Sequence, residues 1–199
     1  MTPRRRTRDA AETRAGILDA AERLFAENGF DATPTSAIAD AAGVPKGLLF
    51  YYFPTKAELL RALVAERITL GPLDVEELAE PGNPARSLLN LTAKIRELES
   101  ASHVIGVIIS REQHTHPEVL SALLEHRDRL QSLIERVLTA SSPVRPAATR
   151  LRSAARAWIG ILALGSDRAT EAARNELTAL AEFVCDGLIS ARRNGGAGA

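Results

Sequence analysis

Residues 33–53 have the sequence TPTSAIADAAGVPKGLLFYYF, in which two short helical segments flank one glycine. If Thr35 is the first position of a helix-turn-helix, Ala39, Gly43 and Leu49 occupy the fifth, ninth and fifteenth positions. The fifth residue must be small because the second helix crosses over it, and the ninth needs a positive φ, which glycine adopts without steric cost. The fifteenth points into the core and should be aliphatic. This spacing predicts a helix-turn-helix whose second helix fits a DNA major groove.

Apolar residues continue with helical spacing on both sides of this motif, and the alternation typical of strands is almost absent. The sequence therefore predicts an all-α fold of about nine helices. It consists of an N-terminal three-helix DNA-binding domain and a larger C-terminal helical domain. The predicted helices span about residues 9–28, 33–42, 45–53, 56–70, 85–99, 102–113, 117–140, 146–164 and 168–193, with one further turn near 75–79.

Composition limits the class of protein. The chain has 199 residues and no formal net charge, so any DNA-binding surface must be a local patch. Cys185 is the one cysteine, which excludes an internal disulfide and a multi-cysteine metal site. No apolar run is long enough for a membrane span, no secretion signal is present, and we expect a cytoplasmic protein. No phosphate-binding glycine loop or nucleophile elbow occurs, so we expect no enzyme and no cofactor.

The four histidines offer the one metal hypothesis. His114 and His116 lie close in sequence to Glu112 and Glu118, which are potential ligands. Pro117 interrupts the helix there, and a polar loop between helices has the same composition. We therefore favour structural or exposed histidines and expect no metal site.

Four segments of this sequence together resemble the tetracycline-repressor (TetR) family. They read GFDAT at 29–33, IADAAGV at 38–44, KGLLFYYF at 46–53 and PTKAEL at 54–59. The resemblance covers about residues 10–65 and implies that Tyr51, Tyr52 and Lys56 contact backbone phosphates. It also implies that Lys46 faces the groove floor or a phosphate. The implied DNA-binding residues are Thr33, Ser36, Pro45, Lys46, Leu48, Tyr51, Tyr52 and Lys56.

Three positions depart from the family's common residues. Pro45, Leu48 and Phe50 stand where the family often has Ser, Thr and Tyr. Leu48 is suited to contact a thymine methyl group, and Phe50 lacks a hydroxyl that would bind phosphate. For Phe50 and for Phe53, a role in the core is the favoured interpretation.

The resemblance also implies a homodimer that binds palindromic operator DNA and is released by a small molecule. The implied function is a ligand-responsive regulator, most simply a repressor, and its effector is apolar or amphipathic. The alternative is a helical interaction or effector-binding protein that has lost DNA binding. The proposed effector contacts are Thr92, Ile95, His103, Val107, Glu112 and Trp158. The proposed dimer contacts on the last two helices are Leu151, Ala155, Trp158, Leu162, Leu177, Leu180, Ala181, Val184 and Leu188.

These observations predict the following domain organisation. Residues 1–8 form a disordered basic arm, which either contacts DNA or is a solvated tail. Residues 9–56 form the DNA-binding domain, and a helix at 56–70 links it to the ligand-binding and dimerisation domain at 71–193. Residues 194–199 form a flexible tail.

Overall fold

The computed structural model describes the backbone of residues 3–99, 103–164 and 170–189, and the side chains of residues 10–98, 104–163 and 170–188. Within these residues the fold has ten helices and no strand, which confirms the predicted all-α class. The helices are α1 (Pro3–Asn28), α2 (Thr35–Ala41), α3 (Lys46–Tyr52), α4 (Lys56–Arg67), α5 (Val75–Leu78), α6 (Pro84–Glu99), α7 (His103–Glu112), α8 (Pro117–Ser141), α9 (Ala148–Leu164) and α10 (Glu171–Ile189). Among the described helices, none is both long and apolar enough to cross a membrane.

Two compact units divide the chain. The first unit contains the described residues of Met1–Thr69 and Glu99–His126, and the second those of Leu70–Leu98 and Arg127–Ala199. Helix α7 and the start of α8 thus pack with the N-terminal helices, whereas the predicted division assigned them to the C-terminal domain. The functional domains predicted from the sequence remain a prediction, because a packing unit need not be a functional one.

The core of the first unit explains why α7 belongs to it. Phe25 of α1, Leu63 of α4 and Ile108 of α7 are buried in one apolar cluster. Ile105 joins them from one turn earlier on α7, because residues three apart lie on the same helix face. The apolar run of α7 therefore covers α1 and α4.

Ion pairs tie α4 to α1 along the surface of this unit. Arg67 near the end of α4 pairs with Asp19 and with Glu22, the latter at 2.7 Å. Arg14 of α1 pairs with Glu66 at 2.5 Å. These pairs are partly exposed, so the buried cluster contributes most of the stability of the α1–α4 contact.

The second unit has its own core, centred on Trp158 of α9. The indole is fully buried, and its Nε1 donates a hydrogen bond of 3.1 Å to Oγ1 of Thr92 on α6. The Thr92 hydroxyl in turn donates to the Leu88 carbonyl at 2.8 Å. The polar groups of both side chains are thus satisfied inside the unit.

Helix α1 begins earlier than the sequence predicts. Residues 3–8, predicted as a disordered arm, are helical in the structure. Arginine is a good helix former, and Pro3 suits the first helical turn, so the helix extends to it without a break. The predicted flexible tail at 194–199 lies outside the described residues.

Candidate nucleic-acid interface

The turn between α2 and α3 has the geometry that the sequence predicts. Gly43 adopts a φ of +65°, and the Val44 amide donates to the Ala39 carbonyl at 3.0 Å. Ala39 and Leu49 are both buried in the core of the first unit. The small residue, the glycine and the aliphatic residue therefore occupy the positions that a helix-turn-helix requires.

Helix α3 presents a continuous face to solvent. Leu49 is buried, while Lys46, Gly47, Phe50 and Tyr51 are exposed. With about 3.6 residues per turn, Gly47 and Tyr51 lie on the side of the helix opposite Leu49. The Tyr51 side chain has 78% of its surface exposed, against 37% for Phe50.

The aromatic residues at 50–53 separate into contact and core positions. Phe53 is buried and Arg14 lies over its ring, 5.0 Å from the centroid, which confirms the interpretation of Phe53 as a core residue. Phe50 is 37% exposed, so the core interpretation was wrong for this residue. Tyr52 is half-buried against the core, and its ring meets that of Tyr51 edge-on at 5.4 Å.

Thr33 does not have the position predicted for a DNA contact. Its side chain is 1% exposed, and its Oγ1 lies 2.7 Å from the carbonyl of Gly29 and 3.2 Å from that of Leu24. The hydroxyl thus bonds within the loop that follows α1. It does not cap α2, whose N-cap residue is Pro34 and which has no side-chain cap. The predicted contact was wrong because the loop turns Thr33 inward.

Lys56 lies at the start of α4, next to the capped end of that helix. Thr55 caps α4 by accepting a hydrogen bond of 3.0 Å from the Glu58 amide. The Lys56 ammonium lies 4.3 Å from the centroid of the Phe30 ring and 3.4 Å from the Asp31 carbonyl. Burial lowers the pKa of Lys56, and the charges of Asp31 and Glu112 oppose this shift. The ammonium is therefore engaged within the unit, and its phosphate contact stays a prediction.

The remaining predicted DNA contacts differ in how much of their side chains is exposed, and their contacts with DNA stay predictions. Ser36 and Pro45 are exposed, and Leu48 is half-buried. Pro45 is the N-cap residue of α3.

A buried carboxylate anchors the loop between α1 and α2. Glu112, at the end of α7, is 6% exposed, and its Oε1 accepts a hydrogen bond of 3.0 Å from the Phe30 amide. Its Oε2 lies 3.3 Å from Nε2 of His116, whose ring centroid is 4.4 Å from that of Phe30. Glu112, predicted as an effector contact, thus binds an amide of its own chain, and its contact with an effector stays a prediction. No local signal reveals such a pair, because 82 residues separate its members.

The other proposed effector contacts divide between the two units. Thr92, Ile95 and Trp158 are buried in the second unit, and Thr92 and Trp158 bond to each other. Val107 is exposed on α7 in the first unit. The side chain of His103 lies outside the described residues. An effector site among these residues stays a prediction.

The predicted dimer contacts include four residues that have no free surface. Each of them exposes at most 4% of its area, because it packs within the second unit's own core: Ala155, Trp158, Ala181 and Leu188. For these four the prediction was wrong. The other five are partly buried against that core: Leu151, Leu162, Leu177, Leu180 and Val184. Phe183 of α10, which was not among the predicted contacts, is 78% exposed.

Known proteins resemble this chain in sequence over part of its length. Residues 17–63 match the family described as bacterial regulatory proteins, tetR family. The chain is 46% identical over 61 residues to the HTH-type transcriptional regulator TtgR of Pseudomonas putida, an alignment that covers 31% of this chain and 29% of that protein. It is 34% identical over 96 residues to the HTH-type transcriptional regulator AcrR of Shigella flexneri, covering 47% and 45%. The alignments thus span less than half the length of these relatives.

The likeness of fold extends over most of the chain. The structure of Salmonella enterica GusR matches with a TM-score of 0.63 and 26% identity, covering 88% of this chain and 95% of that one. Over the described residues, the structure combines a helix-turn-helix with an otherwise all-helical fold, as in this class of helical proteins. Residues 17–63 of the chain therefore carry the N-terminal domain of the TetR family of bacterial regulatory proteins.

Proposed function

We propose that the protein is a transcriptional regulator that binds double-stranded operator DNA through α3. The observation that carries this proposal is the exposed face of α3, which presents Lys46 and Tyr51 beside the Gly43 turn. Because Leu49 fixes the opposite face of α3 in the core, these side chains face outward from a supported helix. A lysine and a phenol hydroxyl are suitable donors to phosphate oxygens and base edges. A DNA partner also implies that the protein works in the cytoplasm.

We propose that two copies bind a palindromic operator as a homodimer, since one α3 reads only a few base pairs. Phe183 of α10 is our main dimer contact. Ala179 and Gly187 lie one turn before and one turn after it, and both are small and exposed. A partner helix can therefore approach closely around the phenyl ring. Burying a phenylalanine contributes roughly 1.5–3 kcal/mol.

We further propose that a small apolar or amphipathic effector releases the DNA, so that the protein acts as a repressor. Trp158 and Thr92 satisfy each other's polar groups, and a site beside them in the second unit would have mainly apolar walls. The hydrogen bond between Glu112 and Phe30 connects α7 directly to the loop that precedes α2. A change in the position of α7 would therefore change the position of the helix-turn-helix within the first unit.

The test is selection of bound duplexes from a random-sequence pool with purified protein. The proposal predicts enrichment of one palindromic consensus, because a two-fold dimer reads two equal half-sites. Enrichment of a single, non-palindromic half-site would support DNA binding but contradict the dimer. Absence of any enrichment, both with the protein alone and after addition of cell extract, would favour a helical interaction or effector-binding protein without DNA binding.

A further inference from the structure

Phe50 gives the exposed face of α3 an apolar side chain at a position where the TetR family often has tyrosine. The ring is exposed, and the Lys46 ammonium lies over it, 5.8 Å from the centroid. Lys46 and Phe50 are four residues apart and therefore lie on the same side of the helix. The phenyl ring has no hydrogen-bonding atom, so it leaves unpaired any polar base edge that it covers.

Leu48 is the other apolar residue of α3 that lies away from the core, but it is less accessible. Helical geometry puts Leu48 and Phe50 on opposite flanks of the face that Gly47 and Tyr51 centre. Leu48 is half-buried, whereas Phe50 is exposed. Of the two, Phe50 therefore has the free apolar surface.

Gly47 allows α3 to approach another molecule closely at this point. It is exposed in the first half of α3, and a Cβ atom built on it meets no atom within 4 Å. Its φ is not positive, so nothing in the folded chain requires glycine at this position. The missing side chain thus leaves a shallow gap on the exposed face next to Phe50.

The apolar group that a base pair presents in the DNA major groove is the thymine 5-methyl group. We propose that Phe50 selects a thymine in each operator half-site by contact with this methyl group, and that Gly47 lets α3 approach close enough for the contact. This inference rests on the proposed DNA-binding function. It assigns sequence selectivity to a residue whose family counterpart commonly carries a hydroxyl.

The experiment replaces each thymine of the selected half-site in turn with deoxyuridine, which removes only the methyl group. At one thymine position, the deoxyuridine duplex should bind wild-type protein about fourfold more weakly than the thymine duplex for each substituted half-site. This is the effect expected when one methyl group is removed from an apolar contact. Phe50→Ala should bind the thymine and deoxyuridine duplexes equally. Measuring both proteins at reduced salt keeps weak binding within range, because affinity rises as salt falls.

Matched variants separate this contact from others on the same helix. Leu48→Ala and Tyr51→Phe should keep the deoxyuridine penalty, since they leave the phenyl ring in place. Gly47→Ala should lose affinity for all duplexes while its Tm stays equal or rises, because alanine is the better helix former.

Three results would overturn the inference. The first is that wild-type protein binds its selected duplex equally well with every deoxyuridine substitution. The second is that Phe50→Ala still binds the deoxyuridine duplex more weakly than the thymine duplex. The third is that Leu48→Ala, and not Phe50→Ala, binds the two duplexes equally. In each of these cases the proposed DNA-binding function stands. A protein that selects no duplex at all would contradict the proposed DNA-binding function and therefore also the methyl contact.

Discussion

For single residues, the sequence best predicts those features that depend only on neighbouring residues in the chain. Gly43 has a φ of +65°, and Ala39 and Leu49 are buried as their spacing predicts. A turn angle and the buried face of a helix depend on neighbouring residues, so both can be predicted from the sequence. The inward turn of Thr33 was not predictable in this way, because it depends on how the chain returns to the Leu24 carbonyl.

Gly43→Val should destabilise the protein by about 1–3 kcal/mol and abolish specific DNA binding, because a β-branched residue is strained at positive φ. The chain offers a matched control in Gly160 of α9, which has ordinary φ and no atom within 4 Å of a built Cβ. Gly160→Ala should be neutral or stabilising. Denaturant unfolding and duplex titration measure both effects, and wild-type binding by Gly43→Val would refute the turn assignment.

Cys185 should react very slowly with thiol reagents in the native protein. The thiol is buried, and desolvation, together with the charge of Asp186, raises its pKa from 9.0 to about 12. At pH 8 its thiolate fraction is then about a thousandfold below that of an exposed thiol, and it rises about tenfold per pH unit until the pKa is reached. Alkylation followed by mass spectrometry measures this rate, with urea-unfolded protein as the control. Equal rates in native and unfolded protein would contradict the burial.

At the scale of helices, the order and approximate bounds of the elements were predictable, because apolar periodicity and capping residues are local. The partner of each helix was not. Helix α7 was assigned to the C-terminal domain from its position in the chain, yet Ile105 and Ile108 pack with α1 and α4. That choice depends on the complementarity of distant surfaces, including the bond from Phe30 to Glu112.

Glu112→Ala should lower the free energy of unfolding by roughly 1.5–3 kcal/mol, the value of a hydrogen bond to a charged group. Glu112→Gln should lose less, because its amide oxygen still accepts from the Phe30 amide. Glu182, exposed on α10, supplies the control, and Glu182→Ala should stay within about 0.5 kcal/mol of wild type. Denaturant titration provides the comparison, and equal effects at the two positions would mean that the carboxylate does not hold the loop.

For the whole molecule, the all-α class and the likeness of residues 17–63 to the TetR family were predictable, whereas the exposed surface was only partly predictable. Helical periodicity identifies an apolar stripe but does not say which part of it an adjacent helix covers. For this reason the predicted dimer contacts include Ala155, Ala181 and Leu188, which are buried, and leave out Phe183, which is exposed.

Phe183→Glu should shift the protein from dimer to monomer, weakening self-association by at least about 30-fold if the ring is an interface anchor. Val144, an exposed apolar residue outside α9 and α10, gives the control, and Val144→Glu should leave the dimer intact. Sedimentation equilibrium across a concentration series measures the dissociation constant. A Phe183→Glu protein that dimerises like wild type would show that this face is not the interface.

Whether the exposed face of α3 binds DNA is best measured by the salt dependence of duplex binding. Affinity for the selected duplex is measured over a salt series for wild type, for Lys46→Gln and for Lys94→Gln, whose lysine pairs with Glu97 on α6. Lys46→Gln should bind more weakly, and its slope of log affinity against log salt should be smaller by about 0.9 for each protomer. Lys94→Gln should match wild type. A Lys46→Gln protein with wild-type affinity and slope would contradict the claim that α3 meets the DNA.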